Sequence, residues 1–282
     1  MIPFLMLPLI VQVGPSVGVG AGGSLPQAPL EIPRKKTEVA APPPALTPSV
    51  QCRQLLAGSA AQAQAYAEKW LKGLKGSARA EPGQCLGMAL AAQGQWVEAE
   101  AAFTAAREVT PASEPANRAR LGGMAGNALL AAGKIEAALD LLDQAHGEAL
   151  GAGDPRLAGE ISIDRARALV ALKRDGDAAS ALATARAKTA DNGQGWLLSA
   201  TLSRRQGKLG EAQQQILVAA QLMPLDPEVG LEAGVIAVLA GNEAAARRSW
   251  LSVIKAAPGG ETARIAQSYL DQLGPDPAPS GR

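Results

Sequence analysis

Small and large apolar residues alternate at helical spacing in the segment 96–106. The apolar positions follow the order i, i+3, i+7 and i+10, and they are Trp96, Ala99, Phe103 and Ala106. This spacing places all four on one stripe of an α-helix. Gly94 before the stripe and Pro111 after it predict where the helix starts and stops. Because one helix cannot bury such a stripe alone, the pattern predicts packing against helices of similar design.

The same order of residues returns along the chain as a repeat. Each copy has a Gly, a small residue, a large residue and a second small residue. The glycines are Gly94, Gly133, Gly207 and Gly241; the first small residues are Ala99, Ala138, Ala212 and Ala246; the large ones are Phe103, Leu142, Ile216 and Trp250; the second small ones are Ala106, Ala145, Ala219 and Val253. The period is 241 − 207 = 34 residues. A further copy, aligned by Ala178 and Leu182, has Lys173 at the Gly position.

This repeat resembles the tetratricopeptide repeat, whose 34-residue pattern is W-x2-L-G-x2-Y, A-x3-F and P. Trp196 stands at the family's Trp position, and Leu86 with Gly87 matches its Leu-Gly pair. The resemblance covers five repeats between about Glu81 and Pro258. It implies an all-α fold, a right-handed superhelical solenoid of antiparallel helix pairs. No segment alternates apolar and polar residues, so no sheet is expected.

The array is predicted to span residues 49–274. It comprises a degenerate leading helix pair at 49–74, about five repeats and a capping helix at Glu261–Leu273. Two repeat spacings are longer than the rest, at 133 − 94 = 39 and 178 − 138 = 40 residues. An acidic residue precedes Pro115 and Pro155 in the extra segments, which predicts longer first helices that begin at these prolines. Residues 275–282 are predicted as a flexible tail.

The first 48 residues differ from the array. Residues 1–22 hold the apolar run MIPFLMLPLIVQV and then small residues, which is typical of a signal peptide or of an apolar segment that touches a membrane. No basic residue precedes the run, so a plain tail stays open as an alternative, and the run is shorter than the roughly 20 residues that span a bilayer. Residues 23–48 are predicted as a disordered Pro/Gly-rich linker. We favour export to the periplasm over a cytoplasmic location, with membrane contact only through an uncleaved N-terminal segment.

Two cysteines stand close to one repeat apart, since 85 − 52 = 33. Cys52 and Cys85 should therefore lie on the first helices of adjacent helix pairs. A disulfide between them would indicate an oxidising compartment. Equivalent points on packed helices lie about 8–10 Å apart, which is wider than a disulfide usually spans. A disulfide and two buried free thiols both stay open, and the spacing favours the thiols.

Neither the charge distribution nor the sequence motifs indicate a catalytic, metal or nucleic-acid-binding site. The net charge is +1, with 27 basic and 26 acidic residues mixed along the repeats, so we expect no nucleic-acid partner. The single His146 excludes a paired-histidine metal site, and no CxxC, HExxH, GxSxG or P-loop motif occurs. Trp96, Trp196 and Trp250 occupy repeat positions that predict core packing. We therefore expect no enzyme activity, no cofactor and no metal.

The resemblance implies a concave groove, lined by the first helix of each pair, that holds peptides or partner helices. The family's groove positions, carried onto the second to fifth repeats, give as candidates Asn127, Leu130, Ile163, Arg167, Val170, Leu197, Thr201, Arg204, Leu231 and Val235. Gln84 and Met88 stand where family members clamp a C-terminal carboxylate with Lys and Asn, so the full clamp is absent. Asn127 and Arg167 remain candidates to hold one carboxylate.

The expected function is therefore a protein interaction scaffold. Its partner would be a protein or peptide with spaced apolar anchors and an acidic group, bound across the second to fourth repeats. Three alternatives stay open. The chain could be a structural or homo-oligomeric part of an envelope or cytosolic assembly, or an enzyme of unrecognised type. The groove could also be covered by the tail, the final helix or a second copy.

Overall fold

The structure, a computed structural model, describes residues 46–275. The predictions for residues 1–22, for the linker up to residue 45 and for the tail beyond residue 275 lie outside these residues. The described range holds no strand and thirteen α-helices, which are α1 (Pro48–Gly58), α2 (Ala60–Leu71), α3 (Ala80–Ala92), α4 (Trp96–Val109), α5 (Pro115–Ala131), α6 (Ile135–Gly151), α7 (Pro155–Ala171), α8 (Asp175–Lys188), α9 (Gly193–Arg205), α10 (Leu209–Leu222), α11 (Pro227–Leu239), α12 (Glu243–Ala256) and α13 (Glu261–Leu273). A short 3-10 turn precedes α3 at Gly76–Arg79.

Consecutive helices pair in the order that the repeat predicts. α1 and α2 form the leading pair, α3 to α12 form five repeats of a first and a second helix, and α13 follows alone. This is the all-α, right-handed superhelical solenoid of antiparallel helix pairs expected from the sequence.

The turn inside each repeat is a left-handed helix cap. The four repeat glycines have φ between 74° and 77°, and they are Gly94, Gly133, Gly207 and Gly241. The cap after α3 carries two backbone hydrogen bonds, from Gly94 N to Ala91 O and from Gln95 N to Leu90 O, both 3.0 Å. This is the Schellman pattern, in which an αL residue lets the chain satisfy the last helical carbonyls. Lys173 adopts the same conformation, with φ of 61°, so the repeat that lacks Gly still makes the turn.

Three helices account for the longer spacings. α5, α6 and α7 have 17 residues each, whereas α3, α9 and α11 have 13. Pro115 and Pro155 begin α5 and α7 as predicted, and the Asp154 carboxylate accepts a hydrogen bond from Leu157 N at 2.9 Å. The lengthening of the second helix α6 was not predicted, although Gly153, with φ of 68°, marks its end with the same left-handed cap.

Each repeat is held by one bulky side chain that sits over one small residue. The small residue lies on the first helix of the repeat, and the bulky residue lies 16 positions later on the second helix, as in 103 − 87 = 16. The five pairs are Gly87 with Phe103, Gly126 with Leu142, Ala166 with Leu182, Ala200 with Ile216 and Gly234 with Trp250. A Cβ at Gly126 would lie 2.6 Å from Leu142 Cγ, and one at Gly234 would lie 2.1 Å from Trp250 Nε1. Such distances leave no room for a Cβ, so helix approach in these repeats requires Gly, whereas the repeats with Ala166 and Ala200 accommodate one Cβ.

The tryptophan prediction is correct for Trp250, correct in part for Trp196, which packs half-buried against the core, and wrong for Trp96. Trp250 is 2% exposed and donates its indole N–H to Leu231 O at 3.1 Å. Trp96 is 38% exposed because it begins α4 just after the Gly94 turn, where α3 has ended and cannot cover it. Trp196 is half-buried; its indole N–H donates to Ala190 O at 2.9 Å and its ring lies 5.4 Å from the Arg186 guanidinium. The rest of the first stripe, from Ala99 to Ala106, is buried as predicted.

α13 ends the array with a polar surface. It lies one period after α11, since 261 − 227 = 34. Gly230 and Gly234 of α11 face α12, and a Cβ on either would contact Val253 or Trp250. Their counterparts in α13 are the exposed Arg264 and Ser268, so the surface that would receive a further second helix is solvated instead. The apolar side of α13 packs back on the last repeat, and a polar outer face is what a terminal unit needs.

The structure joins Cys52 and Cys85 in a disulfide between α1 and α3. Their Cα atoms lie 6.2 Å apart, within the span of a disulfide, so the preference for free thiols is wrong: the separation of about 8–10 Å applies to helix axes, whereas these two Cα atoms lie on the facing sides of α1 and α3. Both residues are 2% exposed. Cys52 is the only fully buried residue of α1, and Leu56 packs partly buried against the same cluster, so the bridge adds a covalent link to a small contact.

Replacing Ala138 by Leu should lower the free energy of unfolding by about 1–3 kcal/mol. Ala138 is 0% exposed in α6, so added methyl groups must displace neighbouring helices. The matched control is Ala137→Leu, because Ala137 is exposed on the same helix and should tolerate the change. Urea unfolding followed by circular dichroism measures both variants. An Ala138→Leu variant as stable as its control would contradict the assigned packing.

Replacing Lys173 by Gly should raise the free energy of unfolding by about 0.5–1 kcal/mol. The left-handed conformation costs a residue with a Cβ about 1–2 kcal/mol, and Gly avoids this cost. Part of the benefit is offset because Gly has more conformational freedom to lose on folding. Lys208→Gly serves as the control, since Lys208 has φ of −84° and gains nothing from Gly. Equal effects of the two substitutions in urea unfolding would be inconsistent with the strained turn.

Reduction of the Cys52–Cys85 bridge should destabilise the leading helix pair. In the chain-entropy model, closing a loop of 33 residues lowers the entropy of the unfolded state and so raises the free energy of unfolding by about 3–4 kcal/mol. We expect thermal unfolding of the full chain to begin at lower temperature after a dithiol reductant is added. The variant with Cys52→Ser and Cys85→Ser should unfold like the reduced protein and should not respond to the reductant. A parent protein that ignores the reductant would show that α1 does not depend on the bridge.

Candidate partner-binding face of the first helices

The first helices of the five repeats lie side by side. α3 contacts α5 through Gln84 Nε2 and Met124 Sδ, which are 3.7 Å apart. α9 contacts α11 through an ion pair between Arg204 and Glu232, with 2.6 Å between Nε and Oε1. We call the solvent-facing side of α3, α5, α7, α9 and α11 the first-helix face. The second helices cover the opposite side of these helices through the bulky residues described above.

Eight of the ten candidate groove residues reach this surface. Asn127 is exposed, and seven are half-buried, namely Leu130, Arg167, Val170, Thr201, Arg204, Leu231 and Val235. Ile163 and Leu197 are only 4% and 5% exposed. Ile163 fills the space between α7 and α9, where a Cβ at Gly195 would lie 3.5 Å from Ile163 Cδ1. These two residues therefore support the face from below and are not available for direct contact with a partner.

Two arginines of the face are paired with the protein's own carboxylates. Arg167 forms an ion pair with Asp164 on the same helix, and burial raises the pKa of the Asp164 carboxyl while Arg167 opposes that shift. Arg204 makes two hydrogen bonds to Glu232, at 2.6 and 3.2 Å, and the two side chains are 23% and 12% exposed. Neither guanidinium is thus an uncompensated cation, which argues against Arg167 as the holder of a partner's carboxylate.

An apolar pocket opens between α7 and α9, with a volume of about 180 Å³. We call it the α7–α9 pocket, and its lining residues are Ala166, Arg167, Val170, Leu182, Leu198, Thr201, Leu202 and Arg205. Its floor is buried core, since Ala166 and Leu182 are each 1% exposed and form the bulky-over-small pair of their repeat. Arg205 is exposed, and no carboxylate within residues 46–275 lies within ion-pair distance of it.

A second, more polar hollow of about 440 Å³ lies toward the N-terminal end of the array. Trp70 of α2, Gln84 of α3 and Arg120 of α5 contribute to its walls. Asn117 joins two neighbours there, because its Nδ2 donates to Glu114 Oε2 at 2.8 Å and its Oδ1 accepts from Arg120 at 3.1 Å. The sequence predicts Gln84 at a groove position but not the contribution of the leading helix pair.

Among residues 46–275, no group of three or more His, Cys, Asp or Glu side chains is arranged to hold a metal ion. His146 is half-buried on α6, and burial lowers its pKa, with Arg165 acting in the same direction. None of the helices in this part of the chain combines the length and hydropathy that crossing a bilayer requires.

Sequence comparison finds no match, because neither a protein family model nor a curated protein matches the chain. Comparison with solved structures does find relatives in fold. PilF of Pseudomonas aeruginosa is 17% identical, with a TM-score of 0.62 over 79% of this chain and 98% of its own. PilW, a type IV pilus biogenesis factor, is 16% identical, with a TM-score of 0.65 over 78% and 96%.

A third similar structure is the ligand-free quorum sensor NprR of B. thuringiensis. It is 13% identical, with a TM-score of 0.67 over 81% of this chain and 70% of its own. At these identities the likeness shows the fold alone. The resemblance inferred from the repeat is confirmed at that level: the described residues form a tetratricopeptide-like solenoid of helix pairs, the fold that these solved structures share.

Proposed function

We propose that this protein is an interaction scaffold whose first-helix face binds a peptide or a helix of a protein partner. The observation that carries the proposal is the α7–α9 pocket, an apolar hollow of about 180 Å³ in the middle of that face. Apolar side chains that stay partly exposed continue the surface on both sides of the pocket. They include Leu130 on α5 and Leu231 and Val235 on α11. Exposed apolar surface rimmed by polar residues is characteristic of interaction sites.

The chemistry of the face suits a partner with spaced apolar anchors. Asn127 supplies an exposed amide that can both donate and accept hydrogen bonds along a peptide backbone. The two ion pairs at Arg167 and Arg204 leave the central surface nearly neutral. Helix-in-groove and extended-peptide binding both use this combination of apolar pockets with a few polar contacts. The face is also rigid, since each first helix is fixed by a bulky residue from behind, and a preformed surface lowers the entropic cost of binding.

The proposed location is an oxidising compartment outside the cytoplasm. The disulfide between Cys52 and Cys85 supports it, since such bonds are rare in proteins kept in reducing conditions. The apolar run within residues 1–22 agrees with export. Thiol labelling of the denatured, unreduced protein from its native cells tests this location. Two reactive thiols would contradict it.

A second candidate, a structural part of a larger assembly, has support on the opposite surface. Leu217 of α10 and Leu251 of α12 occupy the same repeat position, since 251 − 217 = 34, and they are 63% and 56% exposed. Earlier repeats hold Thr104, Asp143 and Ala183 at that position. The change from polar or small residues to leucine makes this part of the second-helix surface apolar, which favours an assembly contact there.

Site-specific photo-crosslinking in cells of the source organism tests the proposal. A photoreactive amino acid at Asn127 and, separately, at Leu239 probes the first-helix face, because both residues are exposed there. Leu217 and Ala183 are the matched positions on the exposed side of second helices. We expect an adduct of the same mass from Asn127 and Leu239 and none from Ala183 or Leu217. Adducts from Leu217 alone would contradict the proposed face and favour the assembly contact.

A further inference from the structure

We infer that the α7–α9 pocket takes one aliphatic side chain of the partner, and that Arg205 at its rim holds an acidic group of the same partner. The inference rests on the proposed function, because it requires that a peptide or helix binds the first-helix face. It goes further in naming the two groups that the partner must carry and the distance between them.

The size and lining of the pocket select a single aliphatic side chain. Pockets for whole small-molecule ligands usually measure about 300–1,000 Å³, whereas this one measures about 180 Å³. That volume holds about six water molecules at roughly 30 Å³ each, so it has room for one leucine, isoleucine or methionine side chain. Val170, Leu182 and Leu198 present hydrocarbon to the space, so a charged or amide side chain would lose most of its hydration against this wall.

The charge at the rim selects an acidic neighbour. Of the two arginines that line the pocket, Arg167 is neutralised by Asp164, while Arg205 has no carboxylate partner within the described residues. Arg204, the next residue along α9, is held by Glu232. A carboxylate of the partner would complete a charge-assisted pair with Arg205, and a basic residue at the same place would be repelled.

The helix geometry sets the separation of the two groups. Thr201 at the pocket wall and Arg205 at the rim are one turn apart on α9, which is about 6 Å along the helix axis. An extended peptide covers about 6 Å in two residues, and a helix covers it in one turn. The partner should therefore carry Asp or Glu two residues from the aliphatic anchor if it binds extended, or three to four residues away if it binds as a helix.

A displayed library of random twelve-residue peptides, selected on the oxidised full chain, tests this inference. We expect the enriched peptides to share an aliphatic residue and an acidic residue at one of the two separations. A synthetic peptide of the enriched sequence should bind Thr201→Trp roughly tenfold more weakly or worse, because the indole fills the pocket. The control Ala183→Trp adds the same side chain to an exposed position of α8 and should bind normally.

Arg205→Glu is the second variant, and it changes an exposed residue that makes no ion pair within the described range, so the fold should tolerate it. Selection on this variant should replace the acidic residue of the consensus by a basic one. Arg248→Glu changes the net charge equally on an exposed part of α12 and should leave the acidic preference intact. Circular dichroism of each variant verifies that it is folded.

The outcomes separate the inference from the proposed function. If the enriched peptides bind the Thr201→Trp and Arg205→Glu variants with the same affinity as the parent protein, the inference is overturned, and peptide binding lies elsewhere on the face. A consensus without an aliphatic and an acidic residue would overturn it in the same way. Failure of the parent to enrich any peptide would contradict the proposed function and the inference together.

Discussion

The close approach of a bulky side chain to a small residue on the neighbouring helix is the contact on which the array depends. A Cβ at Gly87 would lie 2.5 Å from the Phe103 ring, so the two helices can approach only because that Cβ is missing. The contact fixes the rotation and the depth of each second helix against its first. Since one side of every first helix is used in this way, its other side is left facing solvent, and the first-helix face follows from the packing.

The two ends of the array are closed, which supports the proposal that a partner binds the first-helix face between them. At one end α13 presents polar residues such as Arg264 and Ser268 where a further helix would pack. At the other end the Cys52–Cys85 bridge holds a leading helix that buries little else. Between the ends, internal ion pairs neutralise Arg167 and Arg204 of the face, so the proposed recognition would depend on shape and apolar contact, with a local charge preference from Arg205.

Features set by local chain properties could be predicted from the sequence. The turn at Gly94 needs a positive φ, and α13 spans the predicted range Glu261–Leu273 because an amphipathic pattern and a following Gly define it. Contacts between distant residues could not be predicted. A Gly inside a helix, such as Gly126, reads as a weakness until Leu142 is seen opposite it. The ion pair of Arg204 with Glu232 could not be predicted either, because the two residues lie 28 positions apart. The pair of Arg167 with Asp164 is a local i, i+3 contact of one helix, which the sequence does indicate.

A double-mutant cycle at Gly126 and Leu142 tests the central contact most directly. Gly126→Ala places a methyl group where Leu142 lies, and Leu142→Ala removes the obstructing side chain, so the combined variant should lose less stability than the sum of the two single losses. Urea unfolding of the four proteins should give a favourable coupling of about 1 kcal/mol or more. Strictly additive losses would contradict the account, because they would mean that the two positions do not limit the approach of α5 and α6.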